Sequence, residues 1–446
     1  MTTEKTWAEM TWQERREKRF EKWLSPPGVK FINAEAEKAY KARVTRFIHA
    51  IKIEKTDRVP VLLPAGYLPA TYAGYNLGQV MYDYDKLAGA WLKFLHDFQP
   101  DSFDGPGQVY PGRVIEKIGH KLHNWPGHGL PTDAPMYQYN ESENMKADEY
   151  DDFIQNPTDY WMRTFLPRTA SAFEGFKYLA PFNLVLTNPL GYIGSVSRPE
   201  TMKAFETLLD AAREIGKWRE AVGKVSRTAL EEGYASFSGG GMAGAPFDNL
   251  ADVLRGTHGM VMDMYRQPQK VLETIDKMVP LVVKTAVKMA ENSISPVVSM
   301  PLHKGDKAFM SPKQFETFYW PGLKAVLIGL VNEGLVPMPF AEGNFEPRLE
   351  AIADLPRTSV VWYFEHMDMA KAKKILGNVT CIAGNVPASL LVTSTPDVVK
   401  EACRKLIETC APGGGYILTG GAGISKGNPD NLHAMMDAAR QYGVYK

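Results

Sequence analysis

Short apolar runs alternate with longer segments whose apolar residues recur at helical spacing over most of the chain. That alternation predicts βα units wound around a parallel sheet. The runs that read as strands are Val59–Leu63, Ser102–Gly105, Asn183–Thr187, Ala235–Ser238, Pro296–Pro301, Val336–Phe340, Ser359–Phe364, Thr380–Gly384 and Tyr416–Thr419. Nine runs compete for the eight places of a barrel, so one is expected to be peripheral. Helix punctuation is clear in the second half. Ser311 precedes Pro312 and an apolar-periodic stretch that ends at Gly334, and Thr395 opens TPDVVKEACRKLIETC in the same way.

Two stretches fall outside this alternation. Up to about residue 45, Trp7, Met10, Trp12, Phe20 and Trp23 interrupt a charged background, which reads as an amphipathic helical extension packing on its own barrel or on a twin subunit. From about 107 to 159 the chain is rich in Pro, Gly, Tyr, Asn and Asp without a sustained period, which reads as a long insertion and a candidate lid. The remainder, 46–446, is expected to form one (β/α)8 barrel of the α/β class.

With 446 residues, 44% of them hydrophobic, the chain can bury a large core, and one elaborated barrel accounts for the length as well as two domains. Fifty-one basic residues balance 51 acidic ones, which argues against a nucleic-acid-binding or polybasic membrane surface. The three cysteines, Cys381, Cys403 and Cys410, form no CxxC pair, so neither a disulfide framework nor a four-cysteine zinc module is supported. No run approaches the roughly 18 apolar residues of a membrane span, and the charged N-terminus lacks a signal-peptide core. A cytoplasmic protein is expected.

In a parallel barrel, chemistry sits at the C-terminal ends of the strands. That filter returns Asp101, Asp104, Asn188, Ser236, Ser238, His303, Glu342, Glu365, His366, Asn385 and the GGAG at 420–423. His303, Glu342 and Glu365 stand out, because each closely follows an apolar run and precedes a helix start. An imidazole with two carboxylates can ligate zinc with an open fourth position. The same three residues could instead cap helices or pair with cations. Asp368 reads as an N-cap, Asp306 as a turn residue, and Gly239–Gly241 as a close-approach turn. No GxSxG elbow or cysteine–histidine signature is present, which argues against a covalent hydrolase.

Five stretches, RFIHAIKIEKTDRVPV, MDMYRQPQKVLETIDKM, HKGDKAFMSPKQFETFYWPGLKAVL, GNVTCIAGNVPASLLVTSTPDVV and GGYILTGGAGISKGNPDNLHAMMDAARQYGVY, together resemble the uroporphyrinogen decarboxylase superfamily. The resemblance runs in order from about residue 45 to 446 and implies a (β/α)8 barrel. True uroporphyrinogen decarboxylases carry arginines after the first strand that grip substrate carboxylates. This chain reads PVLLPAGYLPATYAG there, without a cation. The resemblance therefore implies the other branch, corrinoid-dependent methyltransferases.

In the zinc-dependent members of that branch the ligands are a His-x-Cys and a late cysteine. Phe340, Glu342 and Ala422 occupy those positions here. Loss of the thiolates favours a hard oxygen substrate, whether zinc is rebuilt from His303, Glu342 and Glu365 or is missing. The implied activity is that of an O-demethylase methyltransferase passing a methyl group from a small methoxylated compound to a corrinoid on a partner protein. Glu342 and Glu365 would hold a metal or act as acid, while Asn188, Asp104, Ser238, His303 and Asn385 would position the substrate. No Asp-x-His-x-x-Gly signature is present, so the corrinoid is expected to arrive with its own protein. The alternatives are a decarboxylase of a smaller substrate using Asp101 or Asp104, and a non-catalytic ligand-binding barrel. A homodimer is compatible with either.

Overall fold

The computed structural model describes residues 5–186 and 188–445. Nine strands are regular: β1 (Val61–Leu62), β2 (His123–Pro126), β3 (Gly129–Leu130), β4 (Gln138–Tyr139), β5 (Val297–Leu302), β6 (Val336–Asn344), β7 (Val361–His366), β8 (Cys381–Val386) and β9 (Tyr416–Gly420). Six of them make one parallel sheet in the order β1-β9-β8-β7-β6-β5.

Two irregular segments bridge the remaining gap between β5 and β1. Phe103 N donates to Ala235 O at 2.9 Å and Phe237 N to Ser102 Oγ at 2.9 Å, which pairs residues 102–105 with 235–238. On one flank Gly240 N reaches Val297 O at 2.9 Å, and Met242 bridges Ser299 in parallel. On the other, Val61 N donates to Asp101 Oδ2 at 3.0 Å. The circle of eight is thereby complete, and the chain is an α/β barrel.

The run that does not belong is Asn183–Thr187. Phe182–Val185 is helical, Leu184 and Leu186 are exposed, and Thr187 lies outside the described residues. A short apolar run cannot be told from a helical turn by periodicity, and Leu184 and Leu186 in this one face solvent.

Strand alternation sorts the barrel's side chains into two cores. Val297, Val336, Met338, Val361, Cys381, Ala383 and Ile417 point inward into one cluster. Their neighbours Val298, Trp362, Phe364, Ile382, Tyr416 and Leu418 point outward under the helices. The helices Trp12–Leu24 and Ala34–Ile51 supply Phe20, Trp23, Tyr40, Val44 and Phe47 to the inward cluster, so they plug the barrel's lower end. Apolar faces spaced along two charged helices find their partner inside the same chain.

Caps behave largely as the sequence implies. Gln314 N donates to Ser311 Oγ and Ser311 N to Gln314 Oε1, a reciprocal box at the start of the segment that runs to Asn332. Replacing Ser311 by alanine should cost about 1 kcal/mol, read as a lower urea midpoint, and an unchanged midpoint would assign the cap no weight. Thr395 stands at the N-cap before Pro396, but its side chain makes no capping hydrogen bond.

The 107–159 stretch contains the short helix Gly112–Lys117 and the three-stranded sheet β3-β2-β4. No described helix is long and apolar enough to cross a membrane.

Candidate active site

Strand phase explains how the late-strand residues meet. Counting in twos from the inward positions Val297, Val336, Val361 and Cys381 leads to His303, Glu342, Glu365 and Asn385. All four therefore belong to the interior face at the C-terminal mouth. One layer below, Phe340 stacks on Tyr363 with centroids 4.3 Å apart, forming an aromatic floor. The Tyr363 hydroxyl donates to Gly420 O at 2.8 Å.

His303 is the centre of the cluster. Its Nδ1 lies 2.6 Å from Asp252 Oδ2 and its Nε2 lies 3.6 Å from Glu342 Oε1, with the side chain 42% exposed. Hydrogen bonding to Asp252, then to Glu342, raises the imidazole to about 10, so the ring carries two protons at neutral pH. Asp252 is also held by Lys304 Nζ at 3.2 Å.

Beneath them Asp248 is buried and accepts from His303 N and Lys304 N, each at 3.0 Å, and from the Tyr319 hydroxyl at 2.8 Å. Burial, then the neighbouring Asp252, pushes the Asp248 carboxyl up to about 6. Asp248 thus fixes the turn that carries His303, while Asp252 orients its ring.

Glu365 Oε2 accepts from Gly343 N at 2.7 Å, and its other oxygen lies 3.5 Å from His366 Nε2. Gly343 has φ +78°, and a Cβ there would stand 2.0 Å from Asp306 Oδ2, so glycine is required beside Glu342. Asn385 Nδ2 donates to Glu365 O at 3.2 Å and Met367 O at 2.9 Å, which ties the loop after β7. Asp104 gathers the two serines: Ser236 Oγ donates at 2.5 Å and Ser238 Oγ at 2.8 Å.

Two expected site residues stand elsewhere. Asn188 is the N-cap of the exposed helix Pro189–Val196, accepting from Leu190 N at 3.1 Å, because the strand expected before it is a helix. Asp101 is buried and held by Arg46 at 2.8 Å and by Arg58 at 2.6 and 2.7 Å. It locks the strand entrance and is not available to a substrate.

His303, Glu342 and Glu365 do not fit a zinc ion in this arrangement. His303 Nδ1 is taken by Asp252 Oδ2 at 2.6 Å, and its Nε2 faces Glu342 Oε1 at 3.6 Å. Glu365 is engaged with Gly343 N, and among the described residues no group of three or more His, Cys, Asp or Glu could hold a metal ion. Asp248, Asp252 and Lys304 escaped the strand-end search, since the two aspartates sit in APFDNLADVLRG, beyond the glycine turn. Their spacing of four, which puts two side chains on one helical face, was the available signal.

The fold and this inward-facing polar mouth define a parallel-barrel protein with a charged centre at its strand ends. Residues 193–442 match the model of the family described as uroporphyrinogen decarboxylase (URO-D), and the chain belongs to that family. No curated protein matches it. Among solved structures it is similar to a methyltransferase from Methanosarcina mazei, with a TM-score of 0.54 and 17% identity over 89% of this chain and 98% of that one.

Proposed function

We propose that the protein is a methyltransferase that removes the methyl group of a methoxylated aromatic compound and passes it to a corrinoid held by a partner protein. The observation that carries this reading is the placing of His303 at the mouth, fixed by Asp252 at 2.6 Å on one nitrogen and facing Glu342 at a looser 3.6 Å on the other, two carboxylates that favour its protonated form. The corrinoid supplies a nucleophilic acceptor for the methyl carbon.

Breaking the methyl–oxygen bond leaves the electron pair on oxygen, which needs a proton or a positive charge. His303 Nε2–H, the less tightly held of the two, offers that proton, and Asp252 keeps the ring oriented as it becomes neutral. A departing phenolate has a conjugate acid near pKa 10, as for a tyrosine side chain. The transfer from an imidazolium at about 10 is then nearly balanced. An aliphatic alkoxide is far more basic and would demand more of the same donor. The aromatic floor of Phe340 and Tyr363 lies directly below and suits a flat substrate.

The cluster thus performs the leaving-group work without a thiolate-bound metal, in keeping with Glu342 standing where related enzymes carry a cysteine. A panel of methoxylated aromatic and aliphatic ethers incubated with free reduced cobalamin tests the reading. Demethylated phenol should form from aryl ethers and much less from alkyl ones. A panel without any demethylated product would reject it.

A decarboxylase of a smaller substrate is the second reading, favoured by Asp104 at the mouth with its two serine donors. Carbon dioxide release without a corrinoid would decide for it.

A further inference from the structure

A cavity of about 340 Å³ lies beside the helical segment Asn249–Arg255, which carries Asp252. Phe153, Tyr160, Trp161 and Phe165 line it, together with Asn249 and Val253 from that segment. Phe153, Tyr160 and Phe165 belong to the same core cluster as the outward-pointing strand residues, so the cavity opens on the outer side of the barrel and not in its mouth. Asp248 and Asp252 reach His303 from the same stretch of chain whose next residues, Asn249 and Val253, face the cavity. Both Trp161–Phe165 and Asn249–Arg255 are π-helical, a local widening that recurs at functional sites.

Packing has left real space here. A cavity of about 150 Å³ is enough for benzene, so 340 Å³ admits a molecule of two fused rings. Phe153 and Tyr160 meet edge to face at 5.8 Å, which fixes one part of the wall. Trp161 is different: it is 49% exposed and makes no ring contact among the described residues. A tryptophan left half in solvent beside an aromatic cavity still has a large apolar surface to cover.

The polar chemistry of the lining is equally specific. None of the side chains around the cavity is charged. The Tyr160 hydroxyl is already spent on Glu149 Oε2 at 2.9 Å. Asn249 supplies the one amide, and its side chain makes no hydrogen bond among the described residues. Gly244 makes room for that amide, since a Cβ there would stand 2.3 Å from Asn249 Oδ1. An amide both donates and accepts, so it can meet a hydroxyl or a carbonyl equally well. Apolar walls with a single orienting polar group are the usual makeup of a small-molecule site.

We propose that this cavity is a second ligand site, separate from the barrel mouth, for a neutral flat aromatic molecule of up to two fused rings whose polar substituent bonds the Asn249 amide. The inference goes beyond the transfer chemistry at the mouth and does not depend on it. Charge-free walls work against carboxylates and ammonium groups, which would be buried there without a partner.

Calorimetric titration of the full-length protein at neutral pH with 2-naphthol, naphthalene and 2-naphthoate tests it. 2-Naphthol should bind saturably and about tenfold or more tightly than the charged 2-naphthoate. Trp161→Ala should weaken 2-naphthol about tenfold, with an unchanged urea midpoint as the check on folding. Asn249→Leu should weaken 2-naphthol about threefold to tenfold and leave naphthalene as it was, the pattern of one lost hydrogen bond. The binding lost in Trp161→Ala should persist in Phe340→Leu, which alters the barrel floor instead. No saturable binding of 2-naphthol, equal binding of 2-naphthoate, or unchanged affinity in folded Trp161→Ala would each overturn the proposal. So would a loss confined to Phe340→Leu, which would seat the ligand at the mouth.

Discussion

A His303→Gln variant is expected to transfer methyl groups about 10²–10⁴-fold more slowly than the wild type, the range seen when a positioned proton donor is removed. Glutamine keeps much of the side chain's reach and can still donate to a carboxylate, so the loss isolates the proton and the charge. The cluster predicts the pH response as well. Asp252, then Glu342, raises His303 from an ordinary value near 6.5 to about 10, and the protonated form is the active one.

Wild-type activity should therefore hold across neutral pH and fall as pH rises through about 10, while the glutamine variant shows no such alkaline limb. The same proton links to stability with the same sign. Its contribution is complete below about 6.5, where the unfolded chain is also protonated, declines above that, and is gone once pH passes the folded value. Rates of the two proteins within twofold of each other at pH 7 would remove His303 from the chemistry.

The largest effect on stability is expected beneath the barrel, at Asp101. Its carboxylate is buried and receives hydrogen bonds from Arg46, Arg58 and Val61 N. Asp101→Ala leaves two guanidinium groups and a strand amide without their acceptor. Arg46 keeps Asp57, at 2.5 Å, so the cost should fall toward the lower part of the roughly 3–5 kcal/mol expected for a broken buried pair. Urea denaturation would show it as a clear fall in midpoint, with activity per folded molecule preserved. A variant with a wild-type midpoint and no turnover would return Asp101 to the reaction and revive the decarboxylase reading in its other form.

Much of the barrel was legible because strands and helices differ in period, and the inward phase of Val297, Val336, Val361 and Cys381 could be extended to His303, Glu342, Glu365 and Asn385. Asn188 was misplaced for a local reason: NLVLT has the composition of a buried strand, but Phe182, Leu184 and Leu190 around it are exposed, and the helix it caps lies on the surface. Asp248 and Asp252 were invisible to a search along strand ends, since they reach His303 from a helical segment after a glycine turn.

The packing of the insertion was hidden more deeply. Tyr67, Tyr110, His123 and Tyr137 come from an aperiodic stretch and a barrel loop, and only tertiary packing brings them together. The three residues expected to share a zinc ion are not gathered as one set, since Glu365 turns to Gly343 N. His303 and Glu342 do meet, with Nε2 3.6 Å from Oε1.

The most direct measurement is a single turnover of the purified protein with 2-methoxyphenol carrying a deuterated methyl group and excess reduced cobalamin. The deuterated methyl should appear on cobalt in step with catechol, one for one, and both should fall together in His303→Gln. Catechol formed while cobalt stays unmethylated, or no catechol formed at all, would contradict the methyl transfer proposed here.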